Sequence, residues 1–308
     1  MKTLAPSYYP YFSCIAGDCR HTCCAGWEID IDADTRAYYR SVGGAIGERL
    51  ENAIEEDAEG NAYFRLCGEE ERCPFLNRSN LCDLILSLGE EALCDICAEH
   101  PRYYNVFSDR TETGIGLCCE AAAKLVLSWE EPVRLVVVDD DGFDDVLPPT
   151  AEGASCLALR GQVIDILQDR TKPVPARIRE MLSLCGAFPV IPDAGMWAAY
   201  LSGLEILDPA WQKMLGTLTA AEDVLPEVTA EQFLVYLVYR HFPKMTEGVS
   251  TRALAGFAAA AYAVINALYA VSESRNPETL WELVRLFSAE IEYSEENLCA
   301  VLELALRT

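Results

Sequence analysis

The residues best suited to chemistry in this chain are its fourteen cysteines, eleven of which precede residue 120. Their spacing is C-x4-C-x3-C-C at positions 14, 19, 23 and 24 and C-x8-C-x11-C-x2-C at positions 73, 82, 94 and 97, with Cys67 between the groups and a Cys118–Cys119 pair after them. Thiolate sulfurs a few residues apart on irregular backbone converge readily on one metal. The pattern therefore predicts a thiolate-rich metal site in the N-terminal part.

The kind of metal follows from the donor types. Histidine occurs three times, at positions 21, 100 and 241, so any site is dominated by sulfur. All-thiolate sites select Zn²⁺ or iron–sulfur clusters, and composition does not distinguish the two. Adjacent side chains such as Cys23 and Cys24 diverge, so we expect only one of them to bind a given ion. Cys67 is left open, and three later cysteines are interpreted as small buried hydrophobes: Cys156, Cys185 and Cys299.

Charge and the N-terminal residues indicate the environment. The segment MKTLAPSYYPYFSC lacks the apolar run and cleavage site of a secretory signal, which predicts a reducing cytoplasm and metal binding; extracytoplasmic disulfides are the alternative. The formal net charge of -25 argues against nucleic acid or an anionic membrane as partner, since both carry like charge. A lysine-bearing partner would be attracted, although an acidic surface also serves solubility alone.

The elements that must position these residues differ along the chain. Apolar periodicity after about residue 150 predicts eight helices separated by Pro, Gly and Asp clusters, at 154–168, 175–184, 196–206, 210–221, 230–241, 251–271, 278–291 and 295–306. The uncharged run ALAGFAAAAYAVINALYAV approaches the length of a membrane span. Its alanines, tyrosines and asparagine favour a buried helix of a bundle instead.

The N-terminal half has less regular periodicity. It predicts helices at 35–40, 46–56 and 121–128 and a strand at 133–138, joined by cysteine-bearing loops, with Asp30, Asp32 and Asp34 forming a solvated edge or a helix cap before Thr35. The predicted fold class is mainly α, with a cysteine-rich metal or cluster module at 1–140 packed on an α-helical bundle at 141–308. The boundary falls in DDGFDDVLPPT, where charge, Gly and Pro interrupt both periodicities.

Several segments together resemble the flagellin lysine-N-methylase family. They are FSCIAGDCRHTCCAGWEIDID (12–32), CPFLNRSNLCDLILSLGEEALCDICAEHPR (73–102) and GLCCEAAAKLVL (116–127), with a weaker echo in YLVYRHF (236–242). Small cysteine-cluster proteins with a CPFL…C…C…PR pattern are more distantly similar. One departure is Cys118, where the family usually has serine.

The resemblance implies transfer of a methyl group from S-adenosylmethionine to lysines of flagellin or another lysine-bearing protein, by a protein that carries a [4Fe–4S] cluster. It does not identify which four cysteines bind the cluster. The candidate ligands that it implies are Cys14, Cys19, Cys23, Cys24, Cys73, Cys82, Cys94, Cys97 and Cys119.

Methyl transfer to lysine requires a neutral amine aligned with the sulfonium methyl. Candidate catalytic residues for this positioning are Tyr103, Tyr236 and Tyr239, and the alternative for the last two is a half-buried place in the bundle. Candidate cofactor-binding residues are Trp27, Arg102 and Arg240. Arg102 would bind a carboxylate or offset the cluster's charge, or form a surface ion pair; Trp27 would most simply shield a cluster from water.

Two familiar cofactor motifs are missing from the sequence. SVGGAIG (41–47) has no strand before it, unlike the glycine-rich loop of a Rossmann methyltransferase, and Cys24 directly follows Cys23 where a radical enzyme has C-x3-C-x2-C. A methylase of this sequence therefore needs an unconventional cofactor site. The competing hypothesis is a non-enzymatic scaffold or redox protein that holds zinc or an iron–sulfur cluster.

Overall fold

A computed structural model of the chain describes residues 1–142, 147–218 and 223–307. The chain forms two compact units, each described by itself. The cysteine unit is Ser13–Arg102, and the helical unit joins Met1–Phe12 to Tyr103–Thr308. Residue 140, the predicted domain boundary, lies inside the helical unit because the first strand of the chain pairs with strands that follow residue 103. Residues 143–146 of that predicted boundary lie outside the described residues.

Seven strands occur among the described residues: β1 (Lys2–Pro6), β2 (Asp30–Ile31), β3 (Ile54–Glu56), β4 (Ala62–Phe64), β5 (Arg102–Val106), β6 (Arg110–Ile115) and β7 (Leu135–Asp140). The same part of the chain contains thirteen α-helices: α1 (Ala33–Ser41), α2 (Gly44–Ala53), α3 (Asp83–Leu88), α4 (Asp95–Glu99), α5 (Glu120–Leu127), α6 (Ala151–Leu167), α7 (Val174–Leu184), α8 (Ala194–Leu201), α9 (Pro209–Leu215), α10 (Glu227–His241), α11 (Thr251–Val271), α12 (Pro277–Phe287) and α13 (Glu295–Arg307). The predicted mainly α class is confirmed.

In the helical unit, eight helices follow residue 150 as predicted, and a sheet of order β5-β6-β1-β7 lies beside them. β1 runs parallel to β6, with Lys2 opposite Arg110, and antiparallel to β7, with Ala5 opposite Val136. The sequence predicted only β7, because a strand such as β1 is recognisable mainly through partners more than a hundred residues away. The candidate residue Tyr103 lies on β5, the edge strand of this sheet next to β6.

A few helices end at residues other than those predicted from the apolar periodicity. The helix predicted at 196–206 ends at Leu201, and the one at 210–221 ends at Leu215, with 219–221 outside the described residues. The helix predicted to 291 ends at Phe287 and continues as a π-helical turn, Ser288–Glu292. The helix predicted at 46–56 was wrong in its last turn, since Ile54–Glu56 is strand β3, paired with β4.

Helix α11 is the most buried element of the helical unit. It is long and apolar enough to cross a membrane, but 89% of its most apolar window is buried inside the protein. Gly256 lies where a Cβ would contact the Ala305 carbonyl oxygen at 2.9 Å, so α11 and α13 pack closely. This burial is compatible with a soluble protein, as the sequence predicted for this run. The cytoplasmic location remains a prediction.

The cysteine unit has a core of its own, in which Ile29, Leu50, Phe64 and Phe75 are almost fully buried. A three-stranded antiparallel sheet of order β2-β4-β3 supports it. Asp32 joins two helices of this unit: its Oδ1 accepts from Thr35 N at 2.8 Å and caps α1, and its Oδ2 accepts from Asp95 N at 3.0 Å at the start of α4. The predicted helix cap before Thr35 is confirmed.

Asp32→Ala is expected to lower the free energy of unfolding by about 1–2 kcal/mol, because it removes the N-cap of α1 and the acceptor for Asp95 N. Burial alone would raise the pKa of Asp32, but the N–H donors of Asp95 and Thr35 outweigh it and lower that pKa. The stabilisation is therefore present at neutral pH and is lost as the pH falls below about 3.9, the ordinary aspartate value.

Urea unfolding of both proteins from pH 7 to pH 3 measures this difference, which should shrink in acid. Asp34→Ala is the matched control, since Asp34 is exposed in the same helical turn. Equal losses of stability for the two variants would contradict the assigned role of Asp32.

Candidate functional site

The predicted metal-binding loops of the cysteine unit are held together by backbone hydrogen bonds. Cys73 N donates to the Cys24 carbonyl oxygen at 2.8 Å, which joins the first and second cysteine groups. Leu76 and Cys82 form an isolated β-bridge, and the side chain of Asn77 closes the loop between them by accepting from Ser79 N and Leu81 N. These contacts bring residues from distant parts of the sequence into one neighbourhood.

Five of the predicted ligands influence one another electrostatically: Cys24, Cys73, Cys82, Cys94 and Cys97. A hydrogen bond from Cys23, opposed by burial and aided by Thr22 and Arg72, lowers the pKa of Cys24 to about 7. Burial, opposed by backbone hydrogen bonds from Phe75 and Leu76 and aided by the charges of Cys24 and Cys82, raises the pKa of Cys73 to about 12.

Cys94 and Cys97 form a hydrogen-bonded thiol pair in a C-x2-C turn, where Cys97 N donates to the Cys94 carbonyl oxygen at 3.0 Å. The hydrogen bond lowers the pKa of Cys94. It raises the pKa of Cys97, as do burial and the charges of Cys94, Cys24 and Cys73. Of this pair, Cys94 therefore ionises first, and Cys97 is the thiol whose pKa is raised by three neighbouring thiols.

By residue type these thiols suit a soft metal, since all five are partly or fully buried and that of Cys24 ionises near neutral pH. All fourteen cysteines carry thiols rather than disulfides. Within residues 1–142, 147–218 and 223–307, no group of three or more His, Cys, Asp or Glu side chains has an arrangement that could hold a metal ion. Metal ligation by these residues stays a prediction.

Of the remaining predicted ligands, Cys23 is hydrogen-bonded to Cys24, and the other three are Cys14, Cys19 and Cys119. Cys14 is exposed, and its sulfur accepts from Ala16 N at 3.3 Å. Cys19 follows the short helical turn Ala16–Asp18 and is partly buried, as is Cys23. Cys119 belongs to the helical unit, where it precedes α5 and packs on that unit's core. Of the three cysteines predicted to be buried, Cys299 is exposed, because it lies on the outer face of α13.

Two predicted cofactor-binding residues are also in the cysteine unit. Trp27 donates from Nε1 to the Cys23 carbonyl oxygen at 2.6 Å, and its ring lies 5.9 Å from that of His100. Burial lowers the pKa of His100 to about 4, so its imidazole is neutral. Arg102 donates to the Ala98 carbonyl oxygen at 3.2 Å, just after α4. Trp27 thus contacts the backbone of the first cysteine group directly.

The helical unit contains a buried polar cluster formed by α10 and the π-helical turn. The Tyr236 hydroxyl donates to the Glu292 carboxylate, with oxygens 3.0 and 3.1 Å away, and accepts from Arg240 at 2.7 Å and from Leu117 N at 3.3 Å. His241 Nε2 lies 2.6 Å from Glu292 Oε1. Tyr236 is therefore fully buried with every polar contact made inside the protein, not half-buried as the sequence-based alternative held.

The charges of this cluster are set by burial and by one another. Burial alone would raise the pKa of Glu292, but Arg240 and His241 lower it overall, so the carboxylate is ionised. Burial lowers the pKa of His241 despite Glu292, so the imidazole is neutral near pH 7 and its Nε2–H donates. The negative charge of Glu292 is then balanced by Arg240, whose Nε lies 3.5 Å away.

Arg240 also lies between two aromatic rings, 5.1 Å from that of Tyr103 and 4.6 Å from that of Tyr293. Two glycines make room for these side chains. A Cβ on Gly116 would collide with the Tyr293 hydroxyl and approach Arg240, and one on Gly114 would collide with the Tyr103 hydroxyl. Among the described residues, the Tyr103 hydroxyl is buried without a hydrogen-bond partner.

Tyr239 is not part of the Glu292 cluster. Its ring packs against a second buried ion pair, formed by Arg160 and Glu112. The Arg160 guanidinium binds Glu112 through both of its terminal nitrogens, at 2.5 and 2.8 Å, and lies 5.0 Å above the Tyr239 ring. Tyr239 is 7% exposed, so it too is buried rather than half-buried. Its contacts are those of a core residue.

The structure thus brings together three predicted residues of the helical unit, Tyr103, Tyr236 and Arg240. Sequence reasoning missed three residues that hold them: His241, Glu292 and Tyr293. The sequence could have indicated these residues, because YLVYRH (236–241) and AEIEY (289–293) place charged side chains within apolar helical segments. A charge that becomes buried in such a segment requires a partner. Nothing in the spacing indicates that those two segments face each other.

Comparison with known proteins supports one relationship. The chain is 28% identical over 134 residues to a lysine-N-methylase of Salmonella choleraesuis and 27% identical to one of Salmonella typhimurium, covering 42% of this chain and 33% of each enzyme. It is 26% identical over 134 residues to the flagellar biosynthetic protein FliU of Salmonella muenchen, covering 79% of that protein. The resemblance to lysine-N-methylases is confirmed, and the chain spans about a third of those enzymes' length.

No family model matches the chain, and no solved structure matches its fold.

Cys94→Ala and Cys97→Ala are each expected to lose bound metal and thermal stability together, because each removes one thiol of the hydrogen-bonded pair. Iron, zinc and acid-labile sulfide are measured after anaerobic purification, with thermal melts of the same samples. Cys299→Ala is the control and should change neither quantity, since Cys299 is exposed in the other unit. Unchanged metal content in both thiol-pair variants would remove this pair from the site.

Glu292→Gln is expected to lower the free energy of unfolding by about 3–5 kcal/mol, because it leaves Arg240 buried without its countercharge. Urea unfolding at pH 7 measures the loss, and a double-mutant cycle with Arg240→Gln isolates the coupling between the two. Glu303→Gln is the control on α13, where the Glu303 side chain is 74% exposed. Additive losses in the cycle would show that the buried pair does not act as one unit.

Proposed function

We propose that this chain takes part in N-methylation of protein lysines, with S-adenosylmethionine as methyl donor and an iron–sulfur cluster as resident group. The observation that carries the proposal is the electrostatic interaction among the buried and partly buried thiols of the cysteine unit, those of Cys24, Cys73, Cys82, Cys94 and Cys97. Its support is the similarity to lysine-N-methylases over 134 residues. The proposed substrate is a flagellar or other lysine-bearing protein, since the chain is also similar to FliU.

The reaction is a displacement at carbon. The lone pair of a neutral lysine Nζ attacks the methyl carbon of the sulfonium, an N–C bond forms and the S–C bond breaks. The bonding electrons pass to sulfur and leave neutral S-adenosylhomocysteine. The methylated nitrogen releases a proton to water. The protein must therefore supply alignment and a place for a cation rather than an electron acceptor.

In the helical unit, the aromatic and polar side chains near Arg240 are the groups that would align the reactants and accommodate the cation. Tyrosine ring faces attract a sulfonium, and the Tyr103 hydroxyl, buried and without a partner among the described residues, can accept or donate a hydrogen bond to a ligand. Tyr236 is held in place by Glu292 and Arg240, so in the proposal it is a positioning residue. Tyr293 is 42% exposed and offers an accessible ring.

In this proposal the cluster ligands are Cys24, Cys73, Cys94 and Cys97, because the charges of the first three thiols all raise the pKa of Cys97. Cys82 acts on Cys73 and is the alternative ligand. When bound, an iron–sulfur cluster supplies reversible one-electron redox chemistry or a rigid cross-link of its loops. The chain's own part is to present thiols in a core where Phe75 and Tyr39 exclude water.

A second candidate function is a non-enzymatic scaffold that holds zinc or a cluster. The observation that favours it is that Cys73 and Cys94 are buried in the hydrophobic core of the cysteine unit. Thiols placed there suit a structural cross-link as well as a reactive centre. Anaerobic protein with about four irons and four sulfides per chain would favour the cluster, and zinc without sulfide would favour the scaffold.

Tyr103→Phe is expected to reduce methyl transfer about tenfold without loss of thermal stability, because the hydroxyl it removes makes no hydrogen bond in the described structure. The assay follows label from methyl-labelled S-adenosylmethionine into flagellin under anaerobic conditions. Tyr104→Phe is the matched control, since Tyr104 is the next residue and is 48% exposed.

Equal rates for wild type, Tyr103→Phe and Tyr104→Phe would remove Tyr103 from the proposed site. Absence of label with metal-loaded wild type and S-adenosylmethionine would overturn the methylase proposal itself and leave the scaffold.

A further inference from the structure

The helical unit contains a cavity of about 470 Å³ that none of the proposed chemistry uses. Its walls come from the end of α7, the segment before α8, helices α8, α11 and α13, and Asp223 in the segment before α10. This volume lies within the range of about 300–1,000 Å³ that is typical of ligand sites. The residues that line the cavity are far along the sequence from the cysteine unit and lie wholly within the helical unit.

Apolar side chains at the rim of this cavity are unusually exposed. Phe188 is 65% exposed, Val190 is 69% exposed and Met196 is 41% exposed, and all three line the cavity. Large apolar side chains that are grouped and exposed around a concavity mark an interaction site more often than scattered ones do. The rim therefore offers contact area to an apolar group.

The charged side chains that line the cavity are acidic. Asp193 and Asp223 both line it, and both are exposed. Tyr262 donates from its hydroxyl to Asp223 Oδ1 at 2.9 Å, which fixes that carboxylate at the wall. Asn266 Oδ1 is already occupied by Val224 N and Leu225 N, at 2.8 and 3.2 Å. The carboxylates are the charged groups that a ligand would meet.

The electrostatic potential in the cavity is negative because Asp193 and Asp223 line it. Burial raises the pKa of Tyr262, and the charges of Asp223 and Glu227 raise it further. One cation lies nearby, since the Arg252 guanidinium is 5.2 Å from the Phe188 ring, although Arg252 does not line the cavity. With a formal net charge of -25 on the whole chain, long-range attraction also favours a cationic partner.

We propose that this cavity is a docking site for a protein segment in which a lysine or arginine neighbours an apolar side chain. The apolar side chain contacts Phe188 and Val190, and the cation contacts Asp223. The lining residues include none of the proposed metal ligands and none of the Tyr236 cluster, so docking does not depend on methyl transfer. Binding can therefore be measured by itself, whatever the outcome of the methylation assay.

The test is fluorescence anisotropy with a rhodamine-labelled peptide, GGLKVLKGG, at fixed salt. Two comparison peptides remove one feature each: GGLEVLEGG reverses the charge and GGSKSSKGG removes the apolar side chains. Wild type is expected to bind the first peptide about tenfold more tightly than either of the others. Equal binding of GGLKVLKGG and GGSKSSKGG would show attraction by net charge alone and would overturn the site.

Two variants and two matched controls locate the binding. Asp223→Asn and Val190→Ser are each expected to weaken GGLKVLKGG binding about fivefold. Glu278→Gln and Val137→Ser change exposed residues of the same types elsewhere in the helical unit and should change binding less than twofold, about the precision of the assay. All four changes are at exposed positions, which preserves folding. Equal weakening by a variant and its control, or no binding by wild type, would refute the proposal.

Discussion

A carboxylate that is buried in an apolar helical core must be paired, because an isolated charge there costs far more free energy than the fold has to spare. Among the described residues of the helical unit, three of the four buried glutamates are paired with arginine: Glu231 with Arg177 and Arg170, Glu112 with Arg160, and Glu292 with Arg240. The fourth, Glu290, instead accepts hydrogen bonds from the backbone N–H groups of Leu207 and Asp208. Each pair joins segments that are about fifty residues or more apart, so the pairs also fix which elements meet.

Helix α10 carries much of this arrangement. Its residue Glu231 binds Arg177 of α7, while Tyr236 and Arg240 both contact Glu292 of the π-helical turn. The helix is buried on nearly all sides, so its polar side chains can be satisfied only by other protein groups. The same burial that stabilises α10 therefore orients Tyr236 and Arg240, two of the residues assigned to the proposed site.

The cysteine unit is held together mainly by backbone hydrogen bonds and a small apolar core rather than by buried ion pairs. Its thiols are brought together by short backbone bridges and by a loop that Asn77 closes, with a small apolar core beneath them. Small units of this kind often rely on a bound metal, because a limited core supplies limited stability. The thiol neighbourhood is thus consistent in chemistry with both the enzyme and the scaffold proposals, which share the metal and differ in what the helical unit does.

The sequence by itself determined the helices after residue 150, the buried run Thr251–Val271 and the concentration of thiols, because periodicity and residue type are local properties. Only the tertiary structure decided that β1 pairs with β6 and β7, that the charges of Cys94, Cys24 and Cys73 act on the ionisation of Cys97, and that Glu292 accepts a hydrogen bond from Tyr236. Those contacts join residues far apart in the chain. Their partners are chosen by the packing of whole elements, which leaves no trace in the spacing of either partner alone.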